Sequence, residues 1–213
     1  MIHDNISKKE IEAKIADVGD YVKMDLLQQC LKKNLDFDTR KFVLTKLSSI
    51  YESRMMYLEA GKLIKISADI NTTYDAKVNE FVKSAELFIK GGNYDEADIA
   101  LTKAFGSASV KQKAIIKQKV KIAYKNQAIE LMKKDKRKNA ADVFEKLLTL
   151  PYLDSNEKKD AQNALLQLYQ KLGKIREIYA LQKNMANPQP IPAPKFEENG
   201  REEREFRADD MFR

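Results

Sequence analysis

Residues 91 to 105 read Gly91-Gly92-Asn93-Tyr94-Asp95-Glu96-Ala97-Asp98-Ile99-Ala100-Leu101-Thr102-Lys103-Ala104-Phe105. Gly92 suits the end of one helix, Asn93 a turn, and Tyr94 the start of the next helix. Ala97 is small enough to admit a neighbouring helix closely. Leu101, Ala104 and Phe105 continue an apolar stripe at helical spacing. Upstream, Phe81, Ala85 and Phe88 share one face of a preceding helix. The stretch therefore predicts the turn and second helix of a helical hairpin.

One hairpin cannot bury its own apolar face, so hairpins of this kind come in series. Tyr51, Tyr57, Ala60 and Ile64 repeat the pattern upstream, and Tyr124, Ala128, Leu131, Ala140, Phe144 and Leu147 repeat it downstream. A fainter copy holds Tyr169, Gly173, Ile175 and Ile178, and the faintest holds Ile15, Gly19, Tyr21, Met24 and Leu27. The anchors Met24, Ala60, Ala97, Ala140 and Ile178 lie 36, 37, 43 and 38 residues apart. On these residues the chain resembles the tetratricopeptide family, whose repeat is about 34 residues. The resemblance implies an all-α fold: a right-handed α-solenoid of about five hairpins over residues 1–186, with an extended tail at 187–213. It also implies a binding role without naming a partner.

The periodicity predicts ten helices, at about 7–18, 21–33, 37–52, 55–69, 72–91, 94–106, 108–133, 135–149, 154–172 and 175–185. Asp36 or Asp38 can cap the third, and Asp154 with Glu157 reads as a capping box. No β-branched alternation bounded by turn dipeptides occurs, so no sheet is expected.

Only 7 Gly and 5 Pro are present, and four of the prolines lie in 188–194. No 18-residue apolar run predicts a membrane span. The opening residues lack the apolar core of a signal peptide, and Cys30 is the only cysteine. These features fit a reducing cytoplasm. Cys30 reads as a small core residue.

Catalytic chemistry finds little support. His3 is the only histidine, and no Gly-rich phosphate loop, Gly-x-Ser-x-Gly elbow or Cys-x-x-Cys pair occurs. A non-enzymatic protein without metal or other cofactor is expected.

Charge is distributed unevenly. The chain carries +7, residues 187–213 carry −2, and the remainder carries +9. No acidic residue lies between Asp98 and Glu130. That interval holds Lys103, Lys111, Lys113, Lys117, Lys119, Lys121 and Lys125, and runs on into Lys133, Lys134, Lys136, Arg137 and Lys138. Lys113, Lys117, Lys121 and Lys125 predict a winding ridge on one helix. Ile116, Val120 and Ala123 occupy one neighbouring face, and Ile115, Ile122 and Ile129 form a second stripe at spacing seven. Two apolar stripes predict a helix wedged between two neighbours, with lysines on the remaining exposed strip.

Two partner classes follow. An acid-free run forgoes its own i, i+4 ion pairs, which suits an acidic partner. RNA or a ribonucleoprotein such as a ribosomal subunit, which the protein would block or pair, would meet Lys111, Lys113, Lys117, Lys121, Lys125, Lys133, Lys134, Lys136 and Arg137 through phosphates alone. The alternative is a protein adaptor. By resemblance, the first helices of the hairpins would line a groove with Val82, Glu86, Ile89, Lys90, Lys125, Ile129, Met132 and Lys133. Ile129 stands where the family's carboxylate clamp would want an asparagine, so an acidic amphipathic segment fits better than a C-terminal carboxylate.

The tail begins Asn187-Pro-Gln-Pro-Ile-Pro-Ala-Pro194, which favours extended polyproline II. Phe206, Met211 and Phe212 then read as anchors of a linear docking motif on a semi-rigid spacer.

Overall fold

The computed structural model describes residues 6–186. The tail anchors Phe206, Met211 and Phe212 lie outside the described residues. Ten helices follow one another: α1 (Lys8–Ile15), α2 (Asp20–Leu31), α3 (Phe37–Ser53), α4 (Tyr57–Ile70), α5 (Tyr74–Gly91), α6 (Tyr94–Ser107), α7 (Val110–Lys133), α8 (Arg137–Leu148), α9 (Ser155–Leu172) and α10 (Ile175–Ala186). They pack largely in sequence order as helical hairpins, and α5 also touches α7 directly.

Local chemistry explains most boundaries. Ser7 with Glu10, Ser109 with Gln112, and Asp154 with Glu157 form reciprocal capping boxes. Asp36, not Asp38, caps α3 by accepting from the Thr39 amide at 2.9 Å. The Asn93 side chain accepts from the Glu96 amide at the start of α6.

The repeat is written in the backbone turns. Met55, Gly92, Asp135 and Gly173 all adopt positive φ. The next residues, Met56, Asn93, Lys136 and Lys174, donate their amides to the carbonyls of Tyr51, Phe88, Leu131 and Tyr169 at 2.8–3.0 Å. This is one Schellman-type turn made four times. Each left-handed residue precedes its anchor (Ala60, Ala97, Ala140 or Ile178) by five positions, so turn and anchor share one register. The first hairpin departs from the pattern. Gly19 has φ −69° and serves as the N-cap of α2. The 43-residue interval coincides with α7, whose 24 residues exceed the 18 of α5 and of α9.

Ala60, Ala97 and Ala140 are completely buried, which lets helix axes approach. Gly61 does the same between α4 and α5, since a Cβ there would meet the Phe88 ring at 3.0 Å. The buried hydroxyls of Ser48 and Ser84 donate to the carbonyls of Ala60 and Gly61, so α3 and α5 both grip α4. The apolar core falls in two clusters, one centred on hairpins one and two and one on hairpins three to five. Both α4 and α5 contribute to each, so the core is continuous.

The wedged arrangement expected for α7 is not what forms. Ile116, Val120, Tyr124 and Ala128 are buried, but Ile115, Ile122 and Ile129 are 56%, 54% and 48% exposed. The lysine ridge is not wholly exposed either, because Lys121 is buried. The reason is geometric. Residues four apart advance about 40° around a helix, so the ridge drifts from solvent toward α9, whereas residues seven apart advance about 20° the other way and stay on the uncovered side.

Candidate functional site: the first-helix face

α3, α5 and α7, the first helices of hairpins two to four, share one face. Glu52 of α3 pairs with Lys83 and Lys90 of α5 at 3.4 and 3.8 Å. The Gln127 side chain of α7 donates to the Lys90 carbonyl at 3.1 Å. A small cleft of about 170 Å³ lies between these helices, with Glu52, Val82, Lys83, Glu86, Lys90 and Lys119 in its wall. Burial pushes the Glu86 carboxyl above the usual range, and the positive fields of Lys119, Lys90 and Lys83 only partly offset it.

Of the groove residues expected from sequence, Val82, Glu86 and Lys90 line this cleft. Ile89 does not: it is fully buried in the core, as is Val82 seven residues before it on nearly the same side of α5. Ile129 and Met132 are exposed on α7.

The polyanion-binding candidates divide by environment. Lys111, Lys113, Lys117, Lys134 and Lys136 are exposed. Lys117 also lies over the Tyr152 ring, 5.7 Å from its centre. Exposed Lys133 and Arg137 pair locally with Glu130 and Asp135. Lys121 and Lys125 both converge on Glu157 of α9, at 2.8 and 2.7 Å. The acid-free stretch thus finds a carboxylate one repeat later, and two of its lysines serve the fold.

Other pairs cross hairpins in the same way. Lys65 meets Glu96 at 2.6 Å across 31 residues, and Lys103 meets Asp69 at 2.6 Å across 34. The Gln112 side chain reaches Asp75 at 2.7 Å across 37 residues. Opposite charges spaced by about one repeat were the sequence signal for the two ion pairs. Counting charge only within single helices hides it.

Half-buried Tyr94 and buried Tyr124 are structural. Tyr94 and Tyr124 stack at an angle with ring centres 6.0 Å apart. Burial pushes the Tyr94 hydroxyl up to about 12 and that of Tyr124 higher still. Both are neutral at neutral pH and join α6 to α7. Among the described residues, no group of three or more His, Cys, Asp or Glu side chains is arranged to hold a metal ion. Among them also, no helix is long and apolar enough to cross a membrane.

What remains uncovered is the α7 stripe. Ile115, Ile122 and Ile129 span 14 residues, about 21 Å along the helix. Lys111, Lys119, Lys125 and Lys133 each sit three or four residues from an isoleucine and therefore flank the stripe.

No protein-family model and no curated protein matches this chain. Among solved structures, it is similar to BtubC (BKLC) from P. vanneervenii, with 16% identity and a TM-score of 0.34 over 86% of this chain and 81% of that one. That degree of superposition carries no functional argument. The helical-hairpin array described above stands on its own geometry.

Proposed function

We propose that this chain is a non-enzymatic helical-repeat adaptor, cytoplasmic, that holds an acidic amphipathic helix or peptide of a protein partner against its first-helix face. The half-exposed stripe of Ile115, Ile122 and Ile129 carries this reading. Isoleucines seven residues apart suit a partner helix whose own apolar residues recur at heptad spacing. Flanking lysines at 111 and 119 select glutamate and aspartate beside that seam and speed encounter, while Lys125 and Lys133 beside it are already paired with Glu157 and Glu130. Removing the remaining exposed area of three isoleucines from water supplies roughly 3 kcal/mol before ordering costs. Such a contact alone is weak and suits reversible assembly.

The test is a fluorescence-anisotropy titration with a designed helical peptide bearing leucine every seventh residue and glutamate beside it. The expected result is saturable binding that Ile122→Asp weakens at least about tenfold. Equal binding by the variant would overturn the reading.

A second reading draws on Lys133, Lys134, Lys136, Arg137 and Lys138, which are all exposed around the α7–α8 turn. In it, the protein docks on a ribonucleoprotein, such as a ribosomal subunit, through phosphate contacts. Steep loss of co-sedimentation with salt, together with indifference to Ile122→Asp, would favour this second mode.

A further inference from the structure

We infer that the isoleucine stripe of α7 is a docking surface for the chain's own C-terminal segment, residues 195–213. The inference rests on the reading of that stripe as a peptide-binding face. It adds the occupant in the free protein.

Complementarity comes first. The stripe offers Ile115, Ile122 and Ile129 between Lys111, Lys119, Lys125 and Lys133. The only carboxylate on α7 is Glu130, already paired with Lys133. The segment from Lys195 to Arg213 carries seven carboxylates against five basic side chains (Lys195, Arg201, Arg204, Arg207 and Arg213), a net charge of −2 opposite in sign to α7. It carries Phe196, Phe206, Met211 and Phe212, with Glu197, Glu198, Glu202, Glu203, Glu205, Asp209 and Asp210 between and beside them. Phe206 and Phe212 bracket Asp209 and Asp210. Laid out extended, those two rings are about 20 Å apart, which matches the length of the stripe.

Reach comes second. α9 lies beside α7, as the Lys121–Glu157 pair shows, and α10 packs on α9. The end of α10 at Ala186 is therefore about two helix spacings, or roughly 20 Å, to the side of α7. Residues 187–205 span up to about 60 Å, enough to bring Phe206 to any point of the stripe.

Tethering comes third. A segment tethered to the same chain presents itself at a local concentration on the order of 1 mM, so even a contact of about 0.1 to 1 mM intrinsic affinity is substantially occupied. A stripe too weak for tight binding in trans is strong enough to be covered in cis. A second copy's stripe is a poor occupant, because it would set Lys111 and Lys119 against like charges with no added carboxylate. The tail then acts as a competitor that any outside partner must displace.

The test uses the full chain carrying a nitroxide at Ala208→Cys. Cys30 is buried and sheltered from the label, which mass spectrometry of the labelled chain verifies. Isoleucine methyl spectra are recorded at two concentrations about tenfold apart. The expected result is selective broadening of the Ile115, Ile122 and Ile129 methyls relative to buried Ile11 and Ile64. It should be independent of dilution and relieved by Phe206→Ser, Met211→Ser and Phe212→Ser together. The same triple variant should bind the acidic helical peptide about two- to tenfold more tightly, the gain set by how fully the tail covers the stripe. Absence of selective broadening, broadening that disappears on dilution, or broadening centred on Ile175 of α10 would each overturn the assignment. If those results coincide with intact peptide binding, the adaptor reading stands and only the occupant is wrong. If the triple variant also fails to bind peptide, the adaptor reading itself fails.

Discussion

Lys121 Nζ lies 2.8 Å from Glu157 Oε2, joining the middle of α7 to the first turn of α9. Lys125 reaches the other oxygen of the same carboxylate at 2.7 Å. These hydrogen bonds hold the Glu157 carboxyl at about 2, well below the ordinary 4.5. The contact fixes the fifth hairpin on the fourth and engages two lysines of the basic face.

Glu157→Gln leaves Lys121 buried without its counter-charge. Chemical denaturation at neutral pH should show a loss of about 3 kcal/mol. In the parent protein the carboxyl is depressed on folding, so its stabilisation is complete above about pH 4.5 and is lost as pH falls toward 2. Between those limits the variant should lose less stability than the parent. Parallel acid profiles of the two proteins would contradict the assignment.

The lysines of α7 should separate by position. Lys113→Glu and Lys117→Glu change exposed side chains and should alter stability by no more than about 0.5 kcal/mol each. Lys121→Glu places a second carboxylate against Glu157 and should unfold at a clearly lower temperature. Thermal melts of the three single variants decide this. A combined Lys117, Lys121 and Lys125 reversal is a poor probe of polyanion binding, because it also breaks the fold's own ion pairs.

Met55 is a bulky residue at φ 60° in the turn where hairpins three and five use glycine. Met55→Gly should relieve the left-handed strain and, after the entropy gained by the unfolded chain, stabilise by about 0.5–1 kcal/mol. Gly92→Ala should do the reverse by about 1 kcal/mol, although open space surrounds its Cβ position. Urea midpoints of both variants test the shared turn. Matching signs would refute it.

Ala97 has no accessible surface and sits beneath its neighbours. Replacing it by leucine should overpack that contact and cost about 1–3 kcal/mol, read as a lowered denaturation midpoint. An unchanged midpoint would remove Ala97 as an anchor of the repeat.

Much of this architecture follows from the sequence because helices are local. Capping residues such as Asp36, Asn93 and Asp154 act within one turn of themselves, and Gly92 and Gly173 mark helix ends by backbone freedom alone. The buried alanines at 60, 97 and 140 recur with the turns, so the hairpin register could be read without coordinates. The Met55 and Asp135 turns could not be read this way, since neither residue announces a left-handed conformation as glycine does.

The face of α7 was decided only by tertiary structure. Periodicity offers two apolar stripes, at spacing four and at spacing seven, and both satisfy a helix equally well. Which one is covered depends on where α5, α8 and α9 lie around α7. They share one core with Ile116, Val120 and Tyr124 and leave Ile115, Ile122 and Ile129 open. The charges follow the same logic. Lys121 and Glu157 are 36 residues apart, and only the stacking of one hairpin on the next brings them to 2.8 Å. Local sequence sets what each helix is, whereas the sequence-distant neighbours set which of its side chains are free to bind.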